Sequence, residues 1–282
     1  MIELAASRYG KAAIRIVRVG RDQRPQQLRD VTVAVALEGD FTAAHTDGDN
    51  ANVVATDTMK NTAYAFAADH LGGSIETYAI DLARHFLETP AVGRATVNVR
   101  EHAWRSIEVD GAPADGAFVR AGEGTRVATA AVSRDGAVVD AGIEDLVVMK
   151  TTRSAFSGFP RDRFTTLAET DDRLMATRLT AVWRYGAPDL DFDAAWAAAR
   201  DTLLEVFAEH DSASVQASIW IMGKAILERH EELAEIRMVL PNLHHFLVDL
   251  APFGLVNDRQ VYVSTTEPHG LIEATVRRSD DT

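Results

Sequence analysis

The sequence predicts an α+β fold in which antiparallel strands dominate and the whole order of elements occurs twice. Three observations carry this: period-two alternation over residues 31–38, a change to helical spacing over residues 59–87, and a second run of the same order after about residue 141. Val31, Val33, Val35 and Leu37 fall on one face of a strand, with Thr32, Ala34, Ala36 and Glu38 on the other, and residues 11–20 form its natural partner. Met59 to His70 reads as a helix. Ser74 to Leu87 reads as a second, with Ile75, Tyr78, Leu82 and Phe86 on one stripe after the Gly72-Gly73 break. Strand patterns return at Val97 and Val99 and run from about Ala130 to Lys150. Strand-like segments then continue to about Tyr185. A helix carrying Phe192, Trp196, Leu203 and Phe207 follows, then one carrying Val215, Ile219, Met222 and Ile226. Residues 236–250, 259–264 and 271–277 alternate again. The expected organisation is two tandem domains, residues 1–141 and 142–282. Each is an antiparallel sheet with two helices on one face, and no Pro- or Gly-rich linker separates them. The opposite sheet face also alternates, so assembly into a ring or barrel is expected.

Composition narrows the function. At 282 residues, 46% hydrophobic and 25% charged, the chain has an ordinary globular make-up and enough length for a substantial core. A formal charge of -13 opposes phosphate backbones and anionic lipid heads, so neither nucleic acid nor membrane is an expected partner. An anionic ligand needs a local basic pocket. With no cysteine there is no disulfide framework, thiolate zinc site or thiol nucleophile. No apolar run approaches the ~18 residues of a membrane span, and Met1 to Gly10 lacks a signal-peptide core, which points to the cytoplasm. Gly122-Glu123-Gly124 lacks the rest of a dinucleotide fingerprint. Gly10-Lys11 and Gly223-Lys224 lack the remainder of a phosphate loop. The histidines are scattered, and adjacent His244 and His245 point to opposite faces of a strand, so no metal site is expected.

Several residue types suit a flat anionic ligand. Arg173 offers a rigid fork of donors and Gln216 a donor pair with an acceptor, a match for the carbonyl and N–H edge of a planar heterocycle. The plain alternatives are a surface salt bridge and a capping residue. Gln216 follows Ser212 and Ser214, both expected as N-caps, so a helix start adds free N–H groups. Phe156, flanked by Ser and Gly, can present its ring for stacking or be an ordinary core residue, whereas Phe159 is expected in the core. Asn242 and His244 are two polar groups in the apolar row Met238, Leu240, Phe246, and need either backbone partners or a function. Lys11 stands out in a chain that otherwise prefers arginine, since lysine can serve as a base.

Six segments resemble the urate oxidase (uricase) family, in the family's order: Arg8-Tyr9-Gly10-Lys11; residues 53–62 (VVATDTMKNT); Phe156-Ser157-Gly158-Phe159 with Arg161-Asp162 and Thr165-Thr166-Leu167; Asp172-Arg173; residues 212–217 (SASVQA); and residues 240–244 (LPNLH). The resemblance implies two tunnelling-fold (T-fold) domains, a barrel-like homotetramer with active sites at subunit interfaces, and cofactor-free oxidation of urate by dioxygen to 5-hydroxyisourate and hydrogen peroxide. It implies that Arg173, Gln216, Phe156 and Val215 bind substrate, with Ile272 as a cavity wall. Asn242 would hold dioxygen or the water that replaces it. Lys11 would pair with Thr56 of a neighbouring subunit in a Lys11–Thr56–His244 relay, so that Thr56 serves both substrate and water. Asp57 would offer its backbone N–H to the purine and cap the next helix, or act as a plain cap. Two other readings remain: a pterin-type T-fold enzyme, which needs a zinc cluster, and a purine-binding ring protein without turnover. The C-terminal Arg278-Ser279-Asp280-Asp281-Thr282 departs from the peroxisomal Ser-Lys-Leu ending of eukaryotic members.

Overall fold

In the computed structural model residues 2–279 are described; Met1 and the last three residues of the C-terminal tail lie outside them. The first strand, β1 (Tyr9–Gly20), pairs antiparallel with β2 (Gln27–Gly39), as the alternation predicts. Val31, Val33, Val35 and Leu37 are all at or below 2% exposure, the face that drives the strand into the core. A short α1 (Thr42–Thr46) follows, then α2 (Thr56–His70) and α3 (Ile75–Phe86). Ser74 caps α3 by accepting from Thr77 N–H at 3.1 Å, and the stripe of Ile75, Tyr78, Leu82 and Phe86 is buried. Both helices lie on one side: α2 on β1, α3 on β3 (Val92–Glu101) and β6 (Thr125–Ser133).

Two strand assignments change. The structure adds a hairpin, β4 (Trp104–Val109) and β5 (Ala112–Arg120), that the long alternating runs do not predict. Its signal was Asp110-Gly111: both residues adopt positive φ, 53° and 77°, as a two-residue turn of primed type demands. The run expected from 130 to 150 is two strands, β6 and β7 (Gly136–Lys150), parted by a turn at Arg134-Asp135. After β8 (Met175–Tyr185) come α4 (Phe192–Glu209), α5 (Val215–Arg229), β9 (Leu233–Leu247) and β10 (Tyr262–Arg277). Gly223 lets α5 approach its sheet, because a Cβ there would sit 2.7 Å from Val276 Cγ2.

The chain divides into two compact units, one running to Gly142 with Arg184–Trp196 added, the other comprising Ile143–Trp183 and the chain from Ala197 onward. In the first the strand order is β1-β2-β3-β6-β7, and in the second β7-β8-β9-β10, with residues of β7 and β8 contributing to both. The fold class is α+β with antiparallel sheet and few helices. No helix is long and apolar enough to cross a membrane among the described residues.

Candidate active site

The first unit brings Lys11, Thr56 and Asp57 together. Gly10 fits only as glycine, because a Cβ would lie 1.9 Å from the Val35 carbonyl oxygen; β1 therefore presses close to β2 here. The register shifts between Lys11 and Ile14, where Ala13 takes φ 57°. Tyr9 shares a strand face with Lys11, stands edge-on to Phe41 at 4.8 Å, and hydrogen-bonds to the main chain of Val54 just ahead of α2.

That helix begins at Thr56, earlier than the Met59 expected from periodicity. Its N-cap is Ala55, which has no side-chain capping bond. The Thr56, Asp57 and Thr58 N–H groups thus have no acceptor within the helix and form its positive end. Asp57 is not the cap. Its carboxylate bonds to Lys60 and, at 3.1 Å, to Asn61, and stays below the usual carboxylate range chiefly through the Lys60 hydrogen bond and charge, with Lys11 adding to the effect. The charge of Lys11 is felt at Asp57, which sets Lys11 near the start of α2 within the chain.

The second unit holds the remaining residues. Phe156 forms an isolated bridge with Thr170, its N–H donating to Thr170 O at 2.8 Å, and Arg173 N–H donates to Ser154 O at 2.8 Å. The Arg173 guanidinium stands 5.1 Å from the Phe156 ring centroid, and Phe156 stacks on Phe159 at 5.0 Å with 13° between planes. Phe159 is therefore not a core residue; it is half-buried and backs Phe156, with Arg161 5.8 Å from its ring. Arg173 Nε is buried without a hydrogen-bond partner, and no carboxylate pairs with the guanidinium among the described residues, which removes the salt-bridge alternative. Burial pulls its pKa down, yet guanidinium remains a cation at any physiological pH. A cavity of about 360 Å³ opens beside it, lined also by Thr152, Arg259 and Tyr262.

Ser214, not Gln216, caps α5, accepting from Ala217 N–H at 3.1 Å. Gln216 is left exposed at the first turn beside buried Val215. Ser212, expected as a second cap, is buried and bonded elsewhere. On β9, Asn242 lies opposite Gly270 and His244 opposite Thr265, so residues 266–269 of β10 bulge out against Leu243 alone. Neither the Asn242 nor the His244 side chain has a hydrogen-bond partner among the described residues, which removes the alternative that backbone bonds satisfy them; His244 stacks on Phe246 at 5.9 Å. Ile272 pairs with Leu240, and since cross-strand partners share a face, it lies on the same sheet face as Asn242. Among the described residues no three His, Asp or Glu side chains are grouped to hold a metal ion.

A Uricase family model matches residues 7–131 and 139–273. The chain belongs to the uricase family. It is 45% identical over 278 residues to a uricase of Arthrobacter globiformis, covering 98% of this chain and 90% of that one. With a uricase of Aspergillus flavus the identity is 37% over 296 residues, covering 99% and 98% of the two chains. A crystal structure of uricase from Arthrobacter globiformis superposes with a TM-score of 0.95 at 44% identity, covering 100% of this chain and 97% of that one. The uricase match spans every candidate residue: Lys11, Thr56 and Asp57 fall in its first segment, and Phe156 through Ile272 in its second. The motifs alone do not reveal the supporting contacts of Phe159 and Tyr9. Both lie inside motifs, and only their contacts show what they support.

Proposed function

We propose that the two clusters are the halves of one urate site, each completed by another copy of the chain. As a member of the uricase family the protein oxidises urate: urate, dioxygen and water give 5-hydroxyisourate and hydrogen peroxide. Urate supplies the electron pair, and dioxygen accepts it.

The observation that carries the residue assignment is the buried, unpartnered Nε of Arg173 beside the face of Phe156. A planar anion stacked on Phe156 fills that donor set, and Gln216 meets its far edge at the open start of α5. The Thr56 and Asp57 N–H groups at the uncapped start of α2 offer a second positive edge. Lys11, through Thr56 and His244, moves the substrate proton and delivers water, while Asn242 holds dioxygen above the ring. Substrate held flat, with dioxygen fixed against one face, needs little reorganisation to react.

Two tandem T-fold domains, residues 1–141 and 142–282, and a homotetramer complete the reading. Its support is the half-buried, small-residue face of β2 (Thr32, Ala34, Ala36) together with the exposed apolar residues Phe246, Leu255 and Val263. The cytoplasmic setting rests on the sequence alone. The deciding experiment mixes chelator-treated protein with urate in air and follows loss of urate ultraviolet absorbance. Activity abolished by exhaustive chelation and restored by one added metal would overturn the cofactor-free reading.

A further inference from the structure

Behind the start of α5 lies a buried run of hydroxyls and one imidazole that the reading above leaves unused. Ser218 is 0% exposed and Ser212 2%. His210 Nδ1 lies 2.7 Å from Val206 O, an atom that can only accept, so Nδ1 carries the proton and Nε2 accepts. Nε2 lies 2.7 Å from Ser218 Oγ, which therefore donates to it. Ser218 Oγ in turn accepts from Ser212 Oγ at 2.8 Å, a shorter path than Ser212 has to Ser214 O at 3.1 Å. Burial holds the His210 imidazole below its ordinary pKa, which keeps this direction of donation at neutral pH. Lys150, itself buried, anchors the far end: its ammonium donates to the carbonyls of Phe207 at 3.0 Å, Ala208 at 3.4 Å and His210.

Ser212 is also bonded through its main chain on both sides. Its N–H donates to Arg153 O at 2.9 Å, and its carbonyl accepts from Ala155 N–H at 2.7 Å. Ser154, paired with Ser212 in an isolated parallel bridge, accepts from Arg173 N–H. One buried residue thus joins the segment that carries Phe156 and Arg173 to the helix start that carries Val215 and Gln216.

We infer that Ser212, Ser218 and His210 are positioning residues for urate, fixing the distance between the Arg173–Phe156 side of the site and Gln216. The inference rests on the site assignment above. A planar ligand gripped at both edges is bound well only if that span is constant, and a loosened α5 start loses one grip without touching the relay.

The test compares Ser218→Ala, His210→Leu, His210→Gln and Gln216→Ala with the parent protein. Steady-state KM and kcat for urate, and thermal stability, are measured for each. Ser218→Ala and His210→Leu are expected to raise KM roughly threefold to tenfold with kcat nearly constant. His210→Gln, which keeps a donor and an acceptor, is expected to restore KM. If Ser218→Ala does not fold, the His210 pair, at a partly exposed position, carries the same comparison. Lower melting temperature with unchanged KM in Ser218→Ala and His210→Leu would overturn the inference while leaving the site reading intact. Unchanged KM in Gln216→Ala would overturn both.

Discussion

The phenol of Tyr9 is bonded to both main-chain groups of Val54: it accepts from Val54 N–H at 2.8 Å and donates to Val54 C=O at 3.2 Å. A single hydroxyl thereby fixes the chain just ahead of α2 against β1, and with it the placement of Thr56 relative to Lys11.

Tyr9→Phe removes both bonds and leaves the Val54 N–H and C=O without that partner, at a cost of about 1–3 kcal/mol in stability. Since Lys11 and Thr56 are assigned to proton transfer, kcat should fall more than KM rises. Initial rates across a range of urate concentrations decide this. A variant with parental kcat and raised KM would show that the first-unit cluster binds substrate without serving the relay.

Arg173→Lys and Gln216→Ala should act the other way, raising KM about 5- to 150-fold, the equivalent of roughly 1–3 kcal/mol, with a smaller effect on kcat. Lysine cannot reproduce the planar fork, and the buried Nε position becomes a methylene. Urate affinity measured without dioxygen gives the direct readout, and parental affinity in both variants would place substrate elsewhere.

The proposed sharing of the site between subunits has a specific signature when variants are mixed, because Lys11 and Thr56 lie in the first unit and Arg173 in the second. Lys11→Met and Arg173→Lys proteins, unfolded together and co-refolded, should regain activity at roughly a quarter of sites under random equal mixing. Lys11→Met with Thr56→Ala should regain none. Equal behaviour of the two mixtures, with mixed oligomers confirmed by native mass spectrometry, would show that each chain builds its own site.

Glu76 gives a pH signature unrelated to catalysis. It is fully buried on α3; one oxygen bonds Arg126 at 2.7 Å while Oε1 has no partner, and burial outweighs Arg126 to push its pKa up to about 7. The folded protein therefore keeps a proton that the unfolded chain releases near its ordinary value of 4.5, so this group's contribution to stability falls as pH rises from 4.5 to 7 and is level above that. Melting temperature of the parent minus that of Glu76→Gln should decline across this window. A difference that is flat, or that grows with pH, would mean Arg126 holds the carboxylate ionised throughout.

Short-range periodicity was enough to determine the elements that bury one regular face: the β1–β2 pair, the α3 stripe from Ile75 to Phe86, and the repeated order of strands and helices. The motif segments likewise single out Arg173, Gln216, Asn242 and His244, polar side chains that suit the site proposed above. The β4–β5 turn was legible in Asp110-Gly111 but is a two-residue signal, easily lost beside long alternating runs. What only the tertiary structure decided depends on contacts between residues far apart in the chain. Phe159 leaves the core because Phe156 offers it a ring to stack on. Ser212 is buried instead of capping because the segment at 153–155 pairs with it. The start of α2 is held at β1 because Tyr9 reaches Val54 across the intervening β2 and α1. Period and propensity describe a residue's neighbours along the chain, whereas these outcomes were set by which strand face, and which register, brought a distant partner within hydrogen-bond reach.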